Sequence, residues 1–357
     1  MPRKSADTRI EPASKSEAAM ASARASGLRY VSDEEPGLRR HPTKTGFLYV
    51  DAAGRPITDE ATLGRVRSLA IPPAYQDVWI CPRANGHLQA TGRDARGRKQ
   101  YRYHPRWAEV RGQQKFGRVA DFGAALPRLR RRLRRDLALA GFPQQKVAAI
   151  LVGVMADTLV RIGNRSYERG NKSYGLTTLR NRHVSFLRGG RARFKFRGKS
   201  GIEHEVVLDD KRLTSLLRRC QQLPGQHLFQ YVDEDGAVQP VDSGVVNDYL
   251  RDAMGGEFTA KDFRTWGGTL AATRLLADMP WDEGGASQRA MASMRKTVEV
   301  EVARQLGNTP AVCRKSYIDP RVYQAWEQGW LARVSQKVRG PRQWEQLTLR
   351  LLRRKQR

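Results

Sequence analysis

Tyr317 is the residue around which chemistry in this chain can be organised. A phenol has a pKa near about 10, so it is a weak nucleophile unless nearby cations favour its ionised form. The local pattern around it is readable. Val298, Val302 and Leu306 mark one apolar helix face, Gly307 ends that helix, and Asn308-Thr309-Pro310 restarts another, with Thr309 as N-cap and Pro310 at the first helical position. Tyr317 then falls about two turns into the new helix, roughly 12 Å from its start at about 1.5 Å per residue. Side chains lean towards a helix N-terminus, which lets the phenol reach back part of that distance. Tyr323, six residues on, is the competing phenol. Arg161, Lys199, Arg264 and Asn308 are of types that suit phosphate chemistry. Taken singly, each has a plainer reading. Arg161 can complement a helix dipole, Lys199 can be a polar hairpin residue, Arg264 a basic surface residue, and Asn308 a turn residue after glycine.

These side chains must be held by elements that the pattern also predicts. Residues 1–26, rich in Ala, Ser, Arg and Lys, read as a disordered tail. Residues 27–108 hold short β-prone pieces (46–50, 77–80, 87–90 and 100–103) between Gly, Pro and Asn turns, and predict a small β-rich domain. Helical patterns dominate 109–335. Leu126 to Leu139 carries one leucine stripe among six arginines. Pro143 opens a helix with Val147, Ile150, Leu151 and Val154 on one face, running to Arg161, with Gly163 and Asn164 as stop signals. His183–Leu187, Ala192–Phe196 and Ile202–Leu208 predict a three-stranded meander with Lys199 at a hairpin tip. Residues 336–357 read as a basic C-terminal tail. The fold class expected is α+β.

Composition narrows the partners. The 357 residues carry 65 Lys+Arg against 36 Asp+Glu, a formal net charge of +29, which calls for a polyanionic partner such as nucleic acid. An apolar fraction of 39% is enough for real cores. Cys81, Cys220 and Cys313 are far apart and form no Cys-x-x-Cys pair, and the histidines lack ligand spacing, so neither a disulfide framework nor a metal site is expected. The N-terminus has no apolar leader, and the longest apolar run, Ala148–Ala156, is too short to cross a bilayer. A soluble protein of a reducing cytoplasm, without a membrane partner, is expected.

In order along the chain, Leu159-Val-Arg-Ile-Gly163 with Tyr174-Gly-Leu-Thr-Thr-Leu179, then Phe196-Arg-Gly-Lys-Ser200, Lys261-Asp-Phe-Arg-Thr-Trp-Gly267, and Leu306-Gly-Asn-Thr-Pro310 with Lys315-Ser-Tyr-Ile318, resemble the active-site motifs of type IB DNA topoisomerases, in their poxvirus-like and bacterial branch. Asp94–Tyr103 resembles a DNA-contacting stretch of that family's N-terminal domain, and the resemblance covers roughly residues 28–330. It implies the catalytic fold shared with tyrosine recombinases. It also implies an enzyme that nicks one strand of duplex DNA through a 3′-phosphotyrosyl link to Tyr317, lets the strand rotate, and reseals it without ATP, metal or other cofactor.

Under that resemblance Arg161 and Arg264 stabilise charge on the phosphoryl oxygens, as fixed cations must where no metal does so. Lys199 acts as general acid towards the leaving 5′-oxygen. Asn308 stands where the poxvirus enzymes have a histidine; an amide can donate one hydrogen bond but cannot carry charge or shuttle a proton. Arg98, Lys99, Gln100, Tyr101 and Tyr103 are the expected DNA contacts of the β-rich domain, with Tyr101 and Tyr103 on one strand face. Arg165 and Tyr167 are expected on the DNA beside Arg161. Double-stranded DNA clamped by a monomer of two lobes is the partner arrangement implied.

Two rivals are a tyrosine recombinase and a non-enzymatic architectural DNA binder. Recombinases usually place a histidine three residues before the second arginine, where this chain has Lys261. An architectural protein explains the charge and leaves the ordered motifs to coincidence.

Overall fold

The chain divides into two units, Met1–Lys115 and Phe116–Arg357, whereas the texture of the sequence suggests a boundary at 108. The structure is a computed structural model that describes residues 15–354 apart from 96, 166, 167, 169, 171 and 282–286.

The first unit is built on a five-stranded antiparallel sheet. Its strands are β1 (Leu38–Thr43), β2 (Gly46–Val50), β3 (Gln76–Ile80), β4 (Leu88–Arg93) and β5 (Lys99–Tyr103), in the order β2-β1-β3-β4-β5. Leu38, Val78, Ile80 and Ala90 of the sheet bury Val66 of helix α2 (Glu60–Ser68), with Asp59 capping that helix. Strand β1 is not among the β-prone pieces because its sequence, Leu-Arg-Arg-His-Pro-Thr, does not alternate apolar and polar residues. Its inward positions are Leu38 and Arg40, and the buried Arg40 guanidinium donates to the Pro72 carbonyl (3.0 Å) and the Tyr75 carbonyl (2.7 Å). The expected tail over 1–26 is corrected over its described part. The Ala-rich stretch is helix α1 (Lys15–Ala25), as alanine's high helix propensity allows, and it buries Ala23 with Leu28 and Trp107.

Helix α3 (Pro105–Asp136) has residues on both sides of the division. In the second unit, α4 (Gln144–Thr158) is buried on nearly every side from Lys146 to Met155, which fits a helix apolar all round. Around it lie the meander of β6 (Val184–Leu187), β7 (Arg191–Arg197) and β8 (Glu203–Leu208), then α5 (Lys211–Gln221), the short hairpin β9 (Gln230–Val232) and β10 (Val238–Pro240), α6 (Ser243–Met254) and α7 (Ala260–Ala277). The chain continues through α8 (Gln288–Leu306), α9 (Pro310–Ser316), α10 (Pro320–Glu327), α11 (Trp330–Ser335) and α12 (Pro341–Arg353). Along β7, Ala192, Phe194 and Phe196 face the core while the intervening Arg and Lys face out. The expected α+β class, a β-rich N-terminal part followed by a mainly helical part with a three-stranded meander, is what is observed.

The C-terminal tail expected over 336–357 is also corrected. Pro341–Arg353 is α12, with Leu347, Leu351 and Leu352 buried in the main core. Arg321 joins it to α10 by donating to the Leu352 carbonyl, while the same guanidinium holds the buried Asp319 carboxylate at 2.6 Å. Among the described residues no helix is long and apolar enough to cross a membrane.

Candidate active site

The site is assembled from four chain segments, and Arg264 joins two of them. It lies in the second turn of α7, whose start is fixed by the Asp262 carboxylate accepting from the Thr259 N–H at 2.8 Å. The arginine is only 4% exposed. One arm of its fork donates to the Leu159 carbonyl at 2.5 Å and the other to the Leu306 carbonyl at 2.6 Å, the first past the end of α4, the second at the end of α8. Burial and the nearby Arg161 charge pull its pKa down to about 10, so it remains a cation at neutral pH. Its Nε is buried without a hydrogen-bond partner among the described residues.

Arg161 was expected inside the helix opened by Pro143. It lies beyond it, because α4 ends at Thr158 and Leu159 takes a left-handed conformation with φ of 54°. Such a conformation costs a residue with a Cβ about 1–2 kcal/mol. It is offset here by two contacts: the Leu159 carbonyl receives Arg264, and its side chain occupies the space over Gly267, where a Cβ would stand 2.5 Å from Leu159 Cδ1. Arg161 is thereby delivered in a loop towards the turn after α8. It donates to the Gly307 carbonyl at 3.3 Å and to Asn308 Oδ1. With its oxygen so engaged, Asn308 presents Nδ2, a buried donor with no partner among the described residues.

Tyr317 caps the end of α9, rather than lying within the helix as its spacing from Pro310 suggests. It is 9% exposed, and the Arg264 guanidinium carbon sits 5.1 Å from its ring centroid. The Thr269 hydroxyl donates to the Tyr317 carbonyl at 3.2 Å, and a Cβ on Gly268 would stand 2.7 Å from that oxygen. One stretch of α7 therefore supplies the cation, the close approach and the backbone anchor. Burial pushes the phenol's pKa up, but the charges of Arg264 and Arg161 outweigh it, and the net shift is downward. Tyr323 is driven the opposite way: burial and the Glu299 carboxylate, 3.5 Å from its hydroxyl, push its pKa well up. Of the two phenols the sequence left open, Tyr317 alone sits where ionisation is favoured.

Lys199 is exposed in the turn Lys199–Gly201 between β7 and β8, and it takes no part in the bonds that join Arg161, Arg264 and Asn308. Arg165 is exposed, with its guanidinium 3.4 Å from the Pro240 carbonyl. Tyr167 lies outside the described residues. The other expected DNA contacts belong to the first unit. There Tyr101 and Tyr103, each 49% exposed, stack with ring centroids 6.0 Å apart on the edge strand β5. Lys99 pairs with Asp33 at 2.6 Å and Arg98 with Asp94 at 2.7 Å, and Gln100 donates to Asp94 at 2.9 Å.

Two participants escaped sequence reasoning: Leu159 and Thr269. The adjacent pair Gly267-Gly268 inside a helix was the available signal for close approach, since glycine in a helix interior is otherwise unfavourable.

Residues 104–336 match the family described as the eukaryotic DNA topoisomerase I catalytic core, and residues 46–94 match the bacterial DNA topoisomerase IB N-terminal domain. The chain is 32% identical over 293 residues to the DNA topoisomerase 1B of Acanthamoeba polyphaga mimivirus, covering 79% of this chain and 85% of that protein. It is 22% identical over 294 residues to the DNA topoisomerase 1B of vaccinia virus (strain Copenhagen), covering 77% of this chain and 86% of the relative. The DNA topoisomerase I of monkeypox virus matches at the same identity, 22%. This chain belongs to the type IB DNA topoisomerases, enzymes that act on DNA and relax its supercoils.

Proposed function

We propose that relaxation proceeds through Tyr317 as nucleophile on duplex DNA, with no metal or ATP required. The observation that carries this reading is a buried phenol with lowered pKa beside two arginines, next to two donors that await an acceptor. Tyr317 loses its proton to solvent, and the phenolate oxygen bonds to phosphorus as the bond to the 5′-oxygen breaks, which leaves a 3′-phosphotyrosyl enzyme and a free 5′-hydroxyl end. Arg161 and Arg264 neutralise the growing charge on the non-bridging oxygens, and Asn308 Nδ2 adds one hydrogen bond. Lys199 gives its proton to the departing 5′-oxygen. The cleaved strand rotates about its intact partner. The 5′-hydroxyl then attacks phosphorus, returns its proton to Lys199 and expels the tyrosine.

The first unit contributes duplex contacts through Arg98, Lys99, Gln100, Tyr101 and Tyr103, and Arg165 and Tyr167 add contacts beside Arg161. A single chain suffices for this cycle, because one active centre cuts and reseals one strand. The chain then works as a monomer on double-stranded DNA in the cytoplasm, at the nucleoid.

Plasmid relaxation with EDTA present and ATP absent tests the reading. Wild type should give a ladder of relaxed topoisomers. Tyr317→Phe should abolish the ladder while retaining DNA binding in a gel-shift assay. Relaxation that persists in Tyr317→Phe rejects the nucleophile.

A further inference from the structure

His204 lies on β8 directly across from Phe196 on β7, and the two rings stack with centroids 5.2 Å apart and planes 12° from parallel. Two glycines close around the imidazole. A Cβ on Gly198, the residue before Lys199, would stand 2.4 Å from His204 Cδ2. A Cβ on Gly307, the residue before Asn308, would stand 2.2 Å from His204 Cε1. The ring therefore spans from the turn that carries Lys199 to the turn that receives Arg161, and each glycine leaves room that no other residue type would. Burial and the charges of Arg161 and Arg264 hold the imidazole below its ordinary pKa, so at neutral pH it brings no further positive charge to the two arginines.

We propose that His204 is a positioning residue for Lys199, a wedge between the lysine turn and the Gly307–Asn308 turn that fixes where the ammonium meets the leaving oxygen. Lys199 is exposed and held by none of the bonds that fix the arginines, so its aim depends on the base of its turn. That base is Gly198 against the imidazole. The inference rests on the reading of Lys199 as general acid.

The test compares single-turnover cleavage of two duplexes, one with the normal 5′-oxygen leaving group and one with sulfur in its place. A thiolate departs without protonation, so its cleavage does not need the acid. Lys199→Ala should be slow on oxygen and close to wild type on sulfur, which checks the underlying reading. His204→Ala should follow the same pattern more mildly, about 10- to 100-fold slower on oxygen and within about threefold on sulfur, with unchanged DNA binding. Gly198→Ala, at an ordinary φ of −96°, pushes on the same ring from the other side and should give the same selective defect. In the double variant the added methyl fills part of the space left by the imidazole, and the two defects should not add.

Equal slowing of both substrates in His204→Ala and Gly198→Ala overturns the proposal, and so does wild-type cleavage in both. A larger oxygen-specific defect in His204→Ala than in Lys199→Ala overturns it too, because the imidazole would then be the donor. If Lys199→Ala itself fails to discriminate between oxygen and sulfur, the general-acid reading falls and takes this proposal with it.

Discussion

Arg264 and Lys99 are both cations set against a tyrosine, Arg264 at 5.1 Å from the Tyr317 ring centroid and Lys99 at 5.7 Å from that of Tyr101. Their other partners differ. Arg264 is buried and held by two neutral carbonyls, those of Leu159 and Leu306, so its orientation is fixed while its whole charge stays available. Lys99 is exposed and held by the Asp33 carboxylate, and Arg98 beside it is held by Asp94. A phosphate reaching β5 must compete with carboxylates for those cations; Arg264 and Arg161 form no ion pair with a carboxylate among the described residues. The first arrangement suits charge that develops only in a transition state, where preorganised donors are most effective. The second suits contacts that must form and break as DNA binds and leaves, with strong dependence on salt.

Removing the rigid side of that contrast should have the largest effect. Arg264→Ala should slow cleavage by about a hundred- to a thousandfold, the usual cost of losing one preorganised donor to an oxyanion. Arg264→Lys should recover little of it, because an ammonium cannot span the two carbonyls and still present a third nitrogen to phosphate. Single-turnover cleavage on a suicide duplex measures both. Recovery to near wild type in Arg264→Lys would mean that charge alone, and not the fork, matters.

A second expectation concerns pH. The two arginines lower the Tyr317 pKa, so the cleavage rate should rise with pH and level off below the ordinary phenol value of about 10. Arg161→Ala removes one of those cations, which raises the pKa and moves the half-rise to higher pH. A pH–rate profile that does not move in Arg161→Ala separates that arginine from the ionisation of the phenol. The smallest effect belongs to the exposed side. Asp33→Asn takes away the carboxylate competing for Lys99 and should tighten DNA binding a few-fold at low salt, with the log–log salt slope steepened by about one as one more phosphate contact forms. Weaker binding in Asp33→Asn would show that Asp33 positions Lys99 instead of restraining it.

How far the sequence revealed this arrangement depends on the kind of interaction. Arg264 is legible only through the resemblance of its motif, Lys261–Gly267; its burial against the carbonyls of Leu159 and Leu306 is tertiary and has no local signal. Arg161 was legible as a residue and misplaced as geometry. A left-handed Leu159 is maintained by packing on Gly267 and by the bond from Arg264, both of which come from a distant part of the chain. The choice of Tyr317 over Tyr323 was equally tertiary, since Glu299 on α8 decides it. No local pattern singles out His204; only the approach of Gly198 and Gly307 gives it a place. The C-terminal helix failed for a different reason. Leu347, Leu351 and Leu352 do carry a helical period, but the surrounding arginines gave the segment the composition of a tail.

Nε of Arg264 and Nδ2 of Asn308, which have no hydrogen-bond partner among the described residues, also bear on how the protein withstands heat. A buried polar group left without a partner costs about 1–3 kcal/mol, so a group that accepts from both donors should stabilise the fold that holds them. A tetrahedral oxyanion that accepts from them should raise the melting temperature, as any ligand of the native state does. Sulfate should therefore protect wild type against thermal denaturation more than it protects Asn308→Ala, beyond the general stabilisation it gives both. Equal protection of the two would detach Asn308 from the anion. If Asn308 and Arg264 hold the phosphoryl group as proposed, the enzyme should be most heat-resistant when it is engaged with its substrate.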